Sequence, residues 1–145
     1  MKLITSFRHV GIVVADLSAA LIFWCDTLNF KLVKKMEESG SHIDAMLGLS
    51  NVKLTTAKLS TPDGNIIELL HFYSHPDRQT WQGTPFSTGL THIAFTVENI
   101  EKTYSKLVDV GVNFPDIPQV SPDGKVKAIY GRTPDGTLIE LVQEL

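Results

Sequence analysis

Apolar and polar residues alternate through two short stretches, 7–14 and 91–97, and after each the apolar residues begin to recur every three or four positions. Alternation predicts a strand and the longer period a helix. In the first strand Val10, Ile12 and Val14 share one side, and His9, Gly11 and Val13 the other. In the second, Ile93, Phe95 and Val97 oppose His92, Ala94 and Thr96. The helices begin at Asp16 and Asn99, side chains suited to accept from first-turn N–H groups. One lines up Leu17, Leu21, Trp24 and Leu28, the other Ile100, Tyr104, Leu107 and Val108 with Gly111 as its stop. Further strands are predicted near 43–47, 53–60 and 65–72, and near 126–132 and 137–143. The last two of each set are joined by Thr-Pro-Asp-Gly, in which Pro sets φ at the second turn position and Gly suits the fourth.

The two halves repeat one another. Phe7 to Val14 answers to Leu90 to Val97 at an offset of 83, and Thr61 to Leu69 answers to Thr133 to Leu141 at an offset of 72, so the first half carries 11 extra residues. The sequence therefore predicts a single α+β domain over 1–145, built from two tandem βαβββ modules forming a curved mixed sheet around a metal-binding cleft. Module one spans 5–72 and module two 90–145. The segment 73–89, polar and broken by Pro76, Gly83, Pro85 and Gly89, connects them.

The repeat also selects candidate chemistry. The bulky side of each first strand packs on the helices, whereas the histidine side carries small neighbours, as a floor beneath a ligand would. In the last strands Glu68 lies between Ile66 and Leu70, and Glu140 between Leu138 and Val142. A carboxylate in such company is costly unless it is paired, hydrogen-bonded or bound to a metal. Pseudo-twofold packing of the halves would bring His9, Glu68, His92 and Glu140 together. Two imidazoles and two carboxylates suit a divalent ion such as Zn, Ni, Co, Fe or Mn. Any one of these residues alone is more often a solvated or hydrogen-bonded side chain; their recurrence in register sets them apart. His42, His71 and His75 have no counterpart and read as loop or outward-facing residues. In the strand predicted at 43–47, Asp44 shares a face with His42 and Met46, and is either an ordinary edge residue or a base facing the cavity. Cys25, Phe23, Trp24, Phe30 and Tyr104 read as packing, and Lys34, Lys35, Glu37 and Glu38 as a solvated strand edge.

Composition narrows the partners. At 145 residues and 43% hydrophobic the chain can bury a core without staples, and Cys25, standing alone, forms no internal disulfide. A net charge of −3 without runs of Lys or Arg argues against nucleic acid and anionic membrane, leaving a small molecule or a protein as the favoured partner. The longest apolar stretch, Ala19 to Cys25, is far below the roughly 18 residues of a membrane span. Thr5, Ser6, Arg8 and His9 interrupt any apolar leader, so a cytoplasmic setting is expected.

With these residues in view, the chain resembles the vicinal oxygen chelate superfamily, which includes glyoxalase I, methylmalonyl-CoA epimerase, extradiol dioxygenases, and fosfomycin and bleomycin resistance proteins. The resemblance rests on His9-Val-Gly-Ile-Val-Val-Ala-Asp16, the repeated Pro-Asp-Gly-x-x-x-Glu-Leu, and Gly89-Leu-Thr-His92-Ile-Ala-Phe95. It implies paired βαβββ modules, a metal in the cleft and a homodimer. The set His9, Glu68, His92, Glu140 looks like the lyase and isomerase branch. There the metal polarises an oxygen beside a carbon acid and a carboxylate removes the proton, a role that falls to Glu140. Asp44 falls near the second base of the epimerases. Val13 and Phe72 stand where glyoxalase I places the Arg and Asn that hold glutathione. Two alternatives follow: a ferrous extradiol-type dioxygenase using His9, His92 and Glu140, and a metal-free protein that sequesters a small molecule or drug.

Overall fold

The computed structural model describes residues 1–145, which form two compact units, Met1–Arg78 and Gln79–Leu145. Each holds one four-stranded mixed sheet, so the hydrogen-bonded architecture is two sheets, an α+β fold. In the first unit β1 (Val10–Val13) leads into α1 (Leu17–Leu21), followed by β2 (Lys31–Ser39), α2 (Ser41–Leu47), β3 (Lys53–Ser60) and β4 (Ile66–Phe72). In the second, β5 (His92–Thr96) and α3 (Ile100–Asp109) precede β6 (Gln119–Val120), β7 (Val126–Arg132) and β8 (Leu138–Glu144). The strand orders are β1-β4-β3-β2 and β5-β8-β7-β6. In both units the first strand runs parallel to the last, because the intervening helix carries the chain back across the sheet, and the remaining pairs are antiparallel.

Both predicted helix starts are capped by the expected side chains. Asp16 accepts from the Ala19 N–H and Asn99 from the Lys102 N–H, each at 2.9 Å. The first helix then departs from regular α geometry: beyond Leu21 it continues as a π-helical stretch, Ile22–Thr27, with the Leu28 N–H bonded to the Phe23 carbonyl. The wider turn rotates the buried stripe. Leu17, Ala20, Phe23 and Trp24 are buried, whereas Leu21 and Leu28, expected on the core face, are half-buried. Trp24 is packed edge-on against Phe23 at 5.4 Å and tilted against Phe30 at 5.7 Å. In α3 Ile100 and Leu107 are buried as expected, but Val108 is exposed.

The main correction concerns residues 43–47. They form helix α2, not a strand; the missing strand of module one is β2, at 31–39. Glycines at positive φ bracket the helix, Gly40 at 104° and Gly48 at 64°, and allow the chain to turn sharply at either end. Ile43 packs with Val52 and Leu54 and against Leu70 and Phe72, so α2 covers one end of the sheet. Together with the longer β2, it is where the first half outgrows the second.

The turn chemistry holds in both copies. The Gly64 N–H bonds the Thr61 carbonyl at 3.0 Å and the Gly136 N–H the Thr133 carbonyl at 2.9 Å. The Thr61 and Thr133 hydroxyls donate to Asp63 and Asp135, and the bond from Thr61 holds the Asp63 carboxyl below its usual range. A third turn of this kind, Ser121-Pro-Asp-Gly124, was not singled out from the sequence: it joins β6 to β7, with Gly124 bonded to Ser121 at 2.8 Å. The connecting segment divides between the units. Arg78 bonds the Phe72 and Ala15 carbonyls of the first, and Arg132 of the second bonds the Gly83 carbonyl and lies over the Trp81 ring. No helix is long and apolar enough to cross a membrane.

Candidate metal and proton-transfer residues

The parallel pairing of first and last strands creates the same arrangement in each unit. In the first sheet Gly11 stands opposite Glu68, and in the second Ala94 stands opposite Glu140. The histidine lies two residues before the small residue, hence on its face and diagonal to the glutamate. His9 Nε2 is 3.6 Å from a Glu68 oxygen and His92 Nε2 is 3.3 Å from a Glu140 oxygen. Both carboxylates are largely buried, at 14% and 23% side-chain exposure, a setting that requires a partner. Each unit thus holds one such imidazole–carboxylate pair, and there is no group of three or more His, Cys, Asp or Glu side chains placed to hold an ion.

The donor chemistry fits a divalent ion. In both pairs it is Nε2 that faces the carboxylate, and at His92 the other ring nitrogen is held by the Thr91 hydroxyl at 2.8 Å. Such a contact fixes the ring orientation of a ligating histidine.

Two residues near these pairs carry no marker in the sequence. Lys58 is directly across the strands from Glu68, with its ammonium 3.9 Å from the carboxylate. Tyr130 occupies the corresponding place across from Glu140. Its ring lies 4.7 Å from that of His92, its hydroxyl is 3.4 Å from Nε2, and burial followed by the Glu140 charge pushes the phenol above its ordinary pKa. Knowledge of the cross-strand register would have found both.

The other candidates lie elsewhere. Asp44 sits on α2, where its two oxygens accept the Asn51 and Val52 N–H groups at 2.9 and 2.8 Å; it ties the helix to the loop leading into β3. His71, expected to face outward, is on β4 with Nδ1 3.2 Å from the Val14 carbonyl and its ring edge-on to Tyr73. His75 bonds the neighbouring Ser74 hydroxyl. Burial, then the Asp26 charge, raises the Cys25 thiol, which suits packing better than nucleophilic attack.

Residues 6–141 match the Glyoxalase/Bleomycin resistance protein/Dioxygenase superfamily, and the chain belongs to it. Among its relatives, an uncharacterized protein of Bacillus subtilis (strain 168) is 29% identical, over 98% of this chain and 99% of its own. A probable lactoylglutathione lyase of Synechocystis is 30% identical over 93% of this chain and 92% of its own. The crystal structure of a glyoxalase family protein from Bacillus cereus superposes with a TM-score of 0.90 at 27% identity, covering 99% of this chain and 97% of that one.

Proposed function

We propose that the protein is a divalent-metal-dependent lyase or isomerase that removes a proton adjacent to a carbonyl of a small substrate. The observation carrying this reading is the duplicated pair, His9 with Glu68 and His92 with Glu140, each opposite a small residue in the same strand register. These four side chains are the metal ligands. A divalent ion held by them would supply Lewis acidity, polarising the substrate oxygen next to the carbon that loses the proton.

The residues themselves divide the remaining work. Glu140 is the base: it faces the neutral Tyr130 phenol, whereas Glu68 is already engaged by the Lys58 ammonium. The Tyr130 hydroxyl, within reach of His92 Nε2, can donate a hydrogen bond to oxygen on the substrate. Asp44, with both oxygens bonded to backbone, is assigned to structure and not to proton transfer. A cytoplasmic homodimer acting on a small molecule, with no nucleic acid or membrane partner, completes the proposal.

Elemental analysis of the purified protein tests the metal. Stoichiometric Zn, Ni, Co, Fe or Mn is expected, lost in His9→Ala and His92→Ala; a metal-free protein, or unchanged metal in those variants, overturns the reading. Proton abstraction is tested by the exchange of the α-proton of hydroxy-ketone and hemithioacetal probes into deuterated solvent. Exchange is expected with the metal-loaded protein and a loss of roughly a hundredfold or more in Glu140→Gln. Oxygen consumption with catechols would instead assign the site to a dioxygenase.

A further inference from the structure

The two units also differ at the position facing the glutamate. In the first sheet the row that holds Glu68 continues to the edge: Lys34 stands opposite Lys58, Lys58 opposite Glu68, and Glu68 opposite Gly11. These residues share one face, the one on which His9 meets Glu68. Glu68 offsets one of the two lysine charges, at 3.9 Å from Lys58. The other has no such partner in the row, and like charges directly opposite one another in a sheet are destabilising. The next row on that face is Met36, Thr56, Leu70 and Val13, in which Met36 and Val13 are exposed. A pair of ammonium groups therefore borders an apolar strip. Nothing comparable stands in the second sheet, where Tyr130 takes the place of Lys58 and β6 begins only at Gln119, opposite Ala128, so that no β6 residue pairs with Tyr130.

We infer that Lys34 and Lys58 bind an anionic group of the substrate, a carboxylate or a phosphate, while its hydrocarbon portion lies over the exposed Met36 beside them. An anion between the lysines removes their repulsion and forms charge-assisted hydrogen bonds with both. This names the substrate class for the site described under Proposed function and rests on that reading for the reaction, though not for the binding.

The test uses the metal-free, isotope-labelled full chain, titrated separately with inorganic phosphate and with butyrate and followed by amide and methyl NMR shifts. Saturable shifts are expected at Lys34, Lys58 and their strand neighbours, with butyrate also moving the Met36 methyl. Affinity should fall about tenfold or more in Lys34→Gln and Lys58→Gln and be retained in Lys58→Arg, since each lost charged hydrogen bond is of that size. Tighter phosphate binding identifies a phosphate substrate, tighter butyrate binding a carboxylate. Absence of saturable binding to either probe, shifts centred elsewhere, or undiminished affinity in both glutamine variants overturns the inference. None of these readouts involves metal or turnover, so their failure is separable from failure of the metal and proton-abstraction reading.

Discussion

Asp44 shows how far a single residue's role depends on the element that carries it. On a strand its side chain would alternate with Ile43 and Ala45 and could face a cavity; on α2 it turns to the chain that follows and takes two backbone N–H groups, from Asn51 and Val52. Hydrogen bonds to a charged acceptor contribute about 1.5–3 kcal/mol each. Asp44→Ala is expected to lower stability by about 2 kcal/mol or more, measured by urea unfolding, while activity per folded molecule stays unchanged. A drop of a hundredfold in turnover with unchanged stability would return Asp44 to the role of base.

At the scale of elements, β7 of the second unit has a place where the packing leaves no slack. A Cβ on Gly131, in β7, would stand 2.5 and 2.7 Å from Phe114 ring atoms and 2.9 Å from a Val112 methyl. Gly131→Ala should therefore cost about 1–3 kcal/mol, read as a lower unfolding midpoint. Strands whose apolar residues alternate and whose ends carry Pro-Asp-Gly were legible in the sequence: β3 and β7 lie at 53–60 and 126–132, as expected, and the caps at Asp16 and Asn99 form. The elements that escaped did so for physical reasons. In β2 every residue but one is exposed, so no burial pattern marks it. In α2 a helix of seven residues offers too few turns for its period to be told from alternation. The π-helical widening after Leu21 moves the buried stripe without changing any residue type. The His and Glu of each pair were legible because they recur; Lys58 and Tyr130 were not, since they occupy equivalent places with unlike chemistry, and similarity is what a repeat displays.

For the whole molecule, the division into Met1–Arg78 and Gln79–Leu145 gives two sheets with the same strand order, each with its last strand inside and its first strand at an edge. Leu69 in β4 and Ile139 in β8 are fully buried, whereas β6 has only two residues. Native-state hydrogen exchange should accordingly find its slowest amides in β3–β4 and β7–β8, and its fastest strand amides in β6. Uniform protection across all eight strands would contradict this ordering.

Helix α2 gives the first unit something the second lacks. Ile43 rests on Leu54, Leu70 and Phe72, which lie on the face of the sheet that also carries Glu68, and the helix is bracketed by two glycines. In a chain made by doubling one module, such an insert frees its own half to diverge without disturbing the register of the other. For protein engineering, the exposed positions of residues 40–52 are thus the ones to vary, with Ile43, Asp44 and Val52 kept to hold the helix on the sheet while both His–Glu pairs stay on their strands.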